Sequence, residues 1–389
     1  MTSIDTLRNA SLTDLASTLR SQLDRRLDVV VPAKVLRSVN GDITVPGTVG
    51  LVGPDGVTSV DGMFRPTVVG IEGLSSKLNI PSAYLKRLAH TDDEGGHVAL
   101  FDDNINGWLE RSTDKWLLRL MKHDRDDAPN DGVLRAVLSD SYRTIDNWDV
   151  LLATLDGVQA AGITGAEVKA DLTTRRMYVR IMSKQITANA QALVSDYRSP
   201  FDNRRRGDQL PLVWAGLVIT NSEVGNGAFN IVPEITFEVC TNGMTITKDA
   251  MRKVHLGARL DEGVVNWSAK TVRQNLALVK SQTADAVAQF LSAEYVQSKV
   301  DAMTREAGIE IDEPAVVIAK VSQQMGYTKA QGDTILDMFI KGGSVTAGGV
   351  MQAVTATAQA IEDGDDAYAL ESSAMDAMSL AAAIGGTGR

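Results

Sequence analysis

Residues 167–184 read Glu-Val-Lys-Ala-Asp-Leu-Thr-Thr-Arg-Arg-Met-Tyr-Val-Arg-Ile-Met-Ser-Lys. Glu167–Leu172 and Met177–Met182 alternate in character as half-buried strands do. Thr173-Thr174-Arg175-Arg176 supplies a polar turn between them, so the stretch reads as a β-hairpin. Within it Met177, Val179 and Ile181 share the face expected in the core, while Tyr178, Arg180 and Met182 share the other. Upstream, Val133–Leu138 reads as a strand, and Asp146 or Asn147 caps a helix striped by Trp148, Leu151, Leu152, Leu155 and Val158 that ends at Gly162. The order β-α-β-β is followed by strand patterns at 212–221 and 229–241. It predicts an α+β fold with a central antiparallel sheet, helices on one face and a helical C-terminal third.

On the N-terminal side, Ile4, Leu7, Leu12, Leu15, Leu19, Leu23 and Leu27 recur at near-helical spacing, with Ser11 and Asp14 as a cap pair. They predict one amphipathic helix. Short β-branched runs at 29–31, 43–45, 49–52 and 67–71 predict a small β unit. Residues 73–89 form two short helical patterns broken at Asn79-Ile80-Pro81. Such a unit is either a packing corner or a helix-turn-helix whose second helix enters a major groove.

On the C-terminal side, 185–210 is polar and loop-like, and Val264 to Glu306 runs helical for more than forty residues without Gly or Pro. Unbroken, that helix would be roughly 65 Å long, so it predicts a break or a contact between subunits. Helices follow around 313–325, 328–340 and 345–361, then a tail with six acids against one Arg, expected to be mobile. The predicted organisation is 1–130 (helix, β unit, helix-turn-helix-like corner), 131–262 (α+β core with the hairpin), 263–361 (helical) and 362–389 (acidic tail).

Charge is segregated. From Lys169 to Arg206 nine Lys/Arg face three acids, a surplus of six in a chain whose formal net charge is −10. Clustered cations repel unless something anionic neutralises them, and such clusters commonly meet phosphates. The plainer reading is a solvated hairpin face and a basic loop. A pI near 5.0 excludes a protein that coats nucleic acid with its whole surface. Cys240 is the sole cysteine, which excludes an internal disulfide and suits a reducing cytoplasm. No run of 18 apolar residues is present to span a bilayer, so a soluble cytoplasmic protein is expected.

Four segments carry a resemblance. Gly73–Leu88, Leu134–Asn147 (Leu-Arg-Ala-Val-Leu-Ser-Asp-Ser-Tyr-Arg-Thr-Ile-Asp-Asn), Ile219–Gly225 (Ile-Thr-Asn-Ser-Glu-Val-Gly) and Val239–Met244 (Val-Cys-Thr-Asn-Gly-Met) resemble, in this order, the phage/plasmid-like protein family. That family is a domain of unknown function found on mobile elements. The resemblance covers roughly residues 70–300 and implies a phage or plasmid origin, with no catalytic residues to carry over. The topology is also similar to the core of phage single-strand annealing proteins, which form rings and lay single-stranded DNA beside a basic hairpin.

The leading expectation is therefore a non-enzymatic, homo-oligomeric binder of single-stranded DNA without a cofactor. Lys169, Arg175, Arg176, Arg180, Lys184, Arg198, Arg204, Arg205 and Arg206 would contact phosphates, and Tyr178 or Phe201 would stack on bases. The acidic tail would compete for that groove or recruit host proteins. A second expectation is a phage interaction protein that binds a host factor through its helices. A third is a Mg²⁺-dependent nuclease built on Asp140 or Asp149 with Glu167 and Lys169. The acidic run His90–His97 matches no zinc spacing. Cys240 with His255 could form a nucleophile and base, although Cys240 ends an apolar strand and fits a packed role. Asn221, Ser222, Asn226, Asn242 and Gly243 read as turn formers or as a polar rim.

Overall fold

The computed structural model describes residues 4–48, 52–53, 56–57, 60–89, 97–123, 130–140, 142, 145–241, 243–253 and 269–386. It is an α+β architecture with two large sheets. The larger is antiparallel, its strands running in the order Leu7–Ala10, Glu167–Leu172, Met177–Asn189, Leu212–Asn221, Phe229–Phe237 and Gly243–Thr245, with Met251–Lys253 also paired to Phe229–Phe237. The hairpin forms as the alternation requires, with Lys169 opposite Arg180 and Leu172 opposite Met177. Met177, Val179 and Ile181 are buried in the main core together with Leu217, Ile219, Ile231 and Ile235 from the next strands.

The second sheet runs Arg26–Pro32, Lys115–Lys122, Gly132–Ser139, Val60–Pro66, Asp42–Thr48 and Arg37–Val39. Among the described residues only the Val60–Pro66 pairing with Gly132–Ser139 is parallel. The strand read as the first β of the β-α-β-β unit therefore belongs to this sheet, which closes after residue 139. Residues 67–71, read as a strand, instead open the helix Val68–Leu78, because the Thr67 hydroxyl caps it by accepting from the Gly70 amide. That helix lies against Gly132–Ser139 through its glycines. A Cβ at Gly70 would stand 2.4 Å from the Leu134 carbonyl oxygen, and one at Gly73 would stand 2.9 Å from the Val137 nitrogen. Asn79, at φ 54° in the left-handed region, turns the chain into the helix Ser82–Ala89, whose Leu85 and Leu88 are buried. Lys86 of that helix pairs with Glu72. The unit packs as a corner.

Elsewhere the predicted helices mostly form with shifted ends. The N-terminal helix starts only at Leu12, where Ser11 accepts from the Asp14 amide, and Leu7–Ala10 pairs as an edge strand with Glu167–Leu172 instead. The helix Asn147–Ala160 buries Val150, Leu151, Ala153, Thr154 and Gly157 and leaves Leu152 45% exposed. Its stripe is rotated because Gly157 faces Thr283 and Lys280 of another helix. The long run splits into Ala269–Phe290 and Ala293–Ala307, where Ser292 caps the second by accepting from the Tyr295 amide. That break removes the long single helix behind the expectation of an oligomer.

The tail expected to be mobile is folded over its described residues, 362–386. Asp363 caps the helix Gly364–Ser372, and Ala374–Gly386 buries Ala374, Ala377, Met378 and Ala381 in the main core. The tail's alanines allow close packing against the alanine-rich helix Ala347–Ala360, which is buried from Ala347 to Ala358, while Leu370 and Met378 fill the core beside them. Helices therefore cover both faces of the larger sheet.

The two sheets meet at a buried ionic junction. Arg119 is 1% exposed, and its guanidinium lies 3.1 Å from Asp28, 2.7 Å from Asp146 and 3.0 Å from the Glu223 carbonyl. Arg135 pairs with the Glu223 carboxylate at 2.9 Å, and Arg26 with Asp146. Burial alone would lower the Arg119 pKa, but the three carboxylates outweigh it and raise it. Asp146 is held low by Arg119 and Arg26 against the same burial. Asn221 donates to Asn147 and to the Ile145 carbonyl, and Glu223 accepts from the Asn147 amide at 2.6 Å. Residues 134–147 and 219–225 thus supply much of this junction.

Candidate nucleic-acid interface

The hairpin arginines are turned back onto the protein. Arg175 binds Glu72 through two nitrogens, each at 2.7 Å, and these hydrogen bonds hold the Glu72 carboxyl below its ordinary range. Arg176 donates to the Asn226 carbonyl at 2.6 Å. Tyr178 is 0% exposed, donates to Asp365 at 2.6 Å and packs 4.7 Å from the Tyr368 ring. Arg180 lies between Glu234 and Glu371, two buried carboxylates. The expectation that Arg175, Arg176, Tyr178 and Arg180 face a ligand is therefore corrected. The helix Gly364–Ser372 covers the hairpin's polar face, and a buried guanidinium is stable only with paired charge.

Two groups of basic side chains remain exposed. Lys169 has no ion-pair partner among the described residues, and Lys184 pairs with Glu167 at 2.6 Å while standing 5.0 Å from the Trp214 ring centroid. The second group sits on the loop 196–208, whose ends bridge at Arg198 and Arg206. The side chains of Arg198, Arg204 and Arg206 are exposed, with no carboxylate paired to them among the described residues, and Phe201 is 50% exposed beside them. Asp196, Asp202 and Asp208 are exposed on the same loop.

The loop is held in shape. Arg205 turns inward, donating from Nε to the Val239 carbonyl at 2.9 Å and from a terminal nitrogen to the Glu238 carbonyl, so it anchors the loop and is not available to phosphate. Tyr197 is buried in the core, and its amide donates to the Val194 carbonyl at 2.9 Å. Gly207 donates to the Tyr197 carbonyl at 2.9 Å. A Cβ at Gly207 would lie 1.7 Å from the Val194 carbonyl oxygen, so only glycine fits. Trp214, on the strand that follows, was not singled out by sequence; its spacing within an apolar strand gave no signal for a half-exposed ring.

The catalytic alternatives are not gathered. Asp140 follows the Gly132–Ser139 strand of the smaller sheet, Asp149 lies in the helix Asn147–Ala160, and Glu167 and Lys169 stand on the larger sheet with Glu167 bound to Lys184. Among the described residues no group of three or more His, Cys, Asp or Glu side chains comes together to hold a metal. Cys240 is buried, 3.5 Å from Gln352. His90, His255, Asn242 and the acids of the His90–His97 run lie outside the described residues. Ser222 accepts from the Asn226 amide at 3.0 Å and donates to the Arg175 carbonyl, which is turn chemistry. Among the described residues no helix is long and apolar enough to cross a membrane.

No family model, curated protein or solved structure matches this sequence.

Proposed function

We propose that this protein binds single-stranded DNA without regard to sequence, as a non-catalytic factor of phage or plasmid replication or recombination in the host cytoplasm. The observation that carries the reading is the loop 196–208. Three arginines stand exposed there without a carboxylate partner among the described residues, around an exposed Phe201. Guanidinium groups track a phosphate backbone, and an aromatic ring offers a base a stacking platform. Arg205 and Gly207 hold the loop against the core, so its three arginines are not free to drift apart. The four segments that resemble the phage/plasmid-like family support the mobile-element setting.

The test is fluorescence anisotropy with a labelled oligothymidylate at several salt concentrations, on the parent and on Arg198→Glu/Arg204→Glu/Arg206→Glu. Binding that weakens with salt and disappears in the triple variant supports the proposal. Equal binding by both proteins, or none by the parent, sinks it.

A further inference from the structure

The outer face of the larger sheet carries a cavity of about 190 Å³ that no part of the strand-binding loop lines. It opens because the helix Gly364–Ser372 covers only the Tyr178 and Arg180 end of the hairpin. Further along the same strand, Met182 and Lys184 line open space beside Trp214, with Ala358 and Gln359 of the helix Ala347–Ala360 contributing to the lining. Gly243 keeps another wall bare, since a Cβ there would stand 2.7 Å from a Glu234 carboxylate oxygen.

We propose that this cavity is a mononucleotide site, taking one planar heterocycle that carries a phosphate. Its chemistry is divided as that ligand's is. Trp214 gives a flat apolar wall on which a base can stack. Behind it, the Glu234 carboxylate accepts from the Thr236 hydroxyl at 3.4 Å and from Arg180, and offers an acceptor to an exocyclic amine. At the mouth, Lys169 lacks an ion-pair partner among the described residues, and the Lys184 ammonium is already fixed 5.0 Å from the indole centroid. The Lys184 pair with Glu167 is about half exposed on both sides. Ion pairs this exposed are weak, so a phosphate can replace the carboxylate readily. The volume lies below the roughly 300–1,000 Å³ of drug-sized ligand sites, so the cavity encloses the heterocycle and leaves the phosphate at the open mouth.

The nucleotide can be free or can be one unit of a bound strand. Calorimetric titration of the full chain with deoxynucleoside 5′-monophosphates, with the matching nucleosides and with a short oligothymidylate separates these sources. Saturable heat with a monophosphate, weakened about tenfold or more by Trp214→Ala and by the exposed Lys169→Glu, assigns a free-nucleotide site. The same sensitivity seen only with the oligothymidylate assigns a unit of the strand. Indifference of both ligands to both variants overturns the site, as does binding of nucleosides as tight as that of monophosphates. Lys169→Glu guards against a Trp214→Ala protein that fails to fold. The triple loop reversal leaves the monophosphate titration unchanged, so this site and the strand-binding loop fail separately.

Discussion

The guanidinium of Arg180 meets the carboxylate of Glu371 through two nitrogen–oxygen contacts of 2.9 Å each, joining residues 191 positions apart. A cation of the basic hairpin is thereby paired with the acidic tail. One guanidinium there serves two buried carboxylates, Glu234 and Glu371, which leaves the group short of positive charge.

That shortage has a pH consequence. Burial lifts the Glu371 carboxyl to about 7, with Arg180 opposing and Glu234 adding to the rise. An unfolded Glu titrates near about 4.3. Between these values the folded protein keeps a proton that the unfolded chain has lost. The stabilisation from this group is complete below the lower value and is lost as pH rises through the upper one. Urea unfolding should therefore show stability falling from about pH 5 to 7, by up to roughly 1.4 kcal/mol per unit from this residue. Glu371→Gln should flatten that fall, and profiles of equal slope would refute the assignment.

At the sheet junction, Arg119 neutralises Asp28 and Asp146 and reaches the Glu223 carbonyl. Arg119→Met leaves those carboxylates buried without it. A loss of about 3–5 kcal/mol is expected, as for breaking other buried pairs. It should appear as a lower urea midpoint at unchanged m-value.

The proposed strand binding through Arg198, Arg204 and Arg206 predicts a salt dependence. Each phosphate neutralised on a single strand contributes about −0.7 to the slope of log K against log salt, so three contacts give about −2. Arg204→Gln should reduce the magnitude by about 0.7, and Arg175→Gln, whose charge is bound to Glu72, should leave the slope unchanged. Anisotropy across a salt series reads both.

Two glycines should respond oppositely to alanine. At Gly70 the new Cβ would press within 2.4 Å of the Leu134 carbonyl oxygen, so the helix must move off its strand. Overpacking of this kind costs about 1–3 kcal/mol. At Gly107, inside the helix Val98–Leu109, it would meet only an Arg111 nitrogen at 3.7 Å. There Ala should stabilise by up to about 1 kcal/mol through helix propensity. Thermal unfolding of the pair checks the contrast.

Legibility in the sequence followed the range of the interaction. The hairpin Glu167–Met182, the cap at Ser11 and the three helices from Pro314 to Ala360 were readable because alternation, capping and helical periodicity act over a few residues. The strand Leu7–Ala10 was misread as helix, since Leu7 continues the helical leucine spacing and the strand's partner lies some 160 residues away. The candidate site divided the same way. Phe201 and the exposed arginines of 198–206 were legible as a polar basic loop, whereas the inward turn of Arg205 depends on carbonyls of another strand.

The α+β class and the core face of the hairpin were written in the linear chain, because side-chain periodicity alone sets which face avoids water. Which cations stay available was decided only on folding. Arg175, Arg176 and Arg180 found their partners 103, 50 and 191 residues away, respectively, in Glu72, the Asn226 carbonyl and Glu371. Charge in sequence is local, but its neutralisation is spatial, since a buried guanidinium draws its partner from wherever the fold brings one.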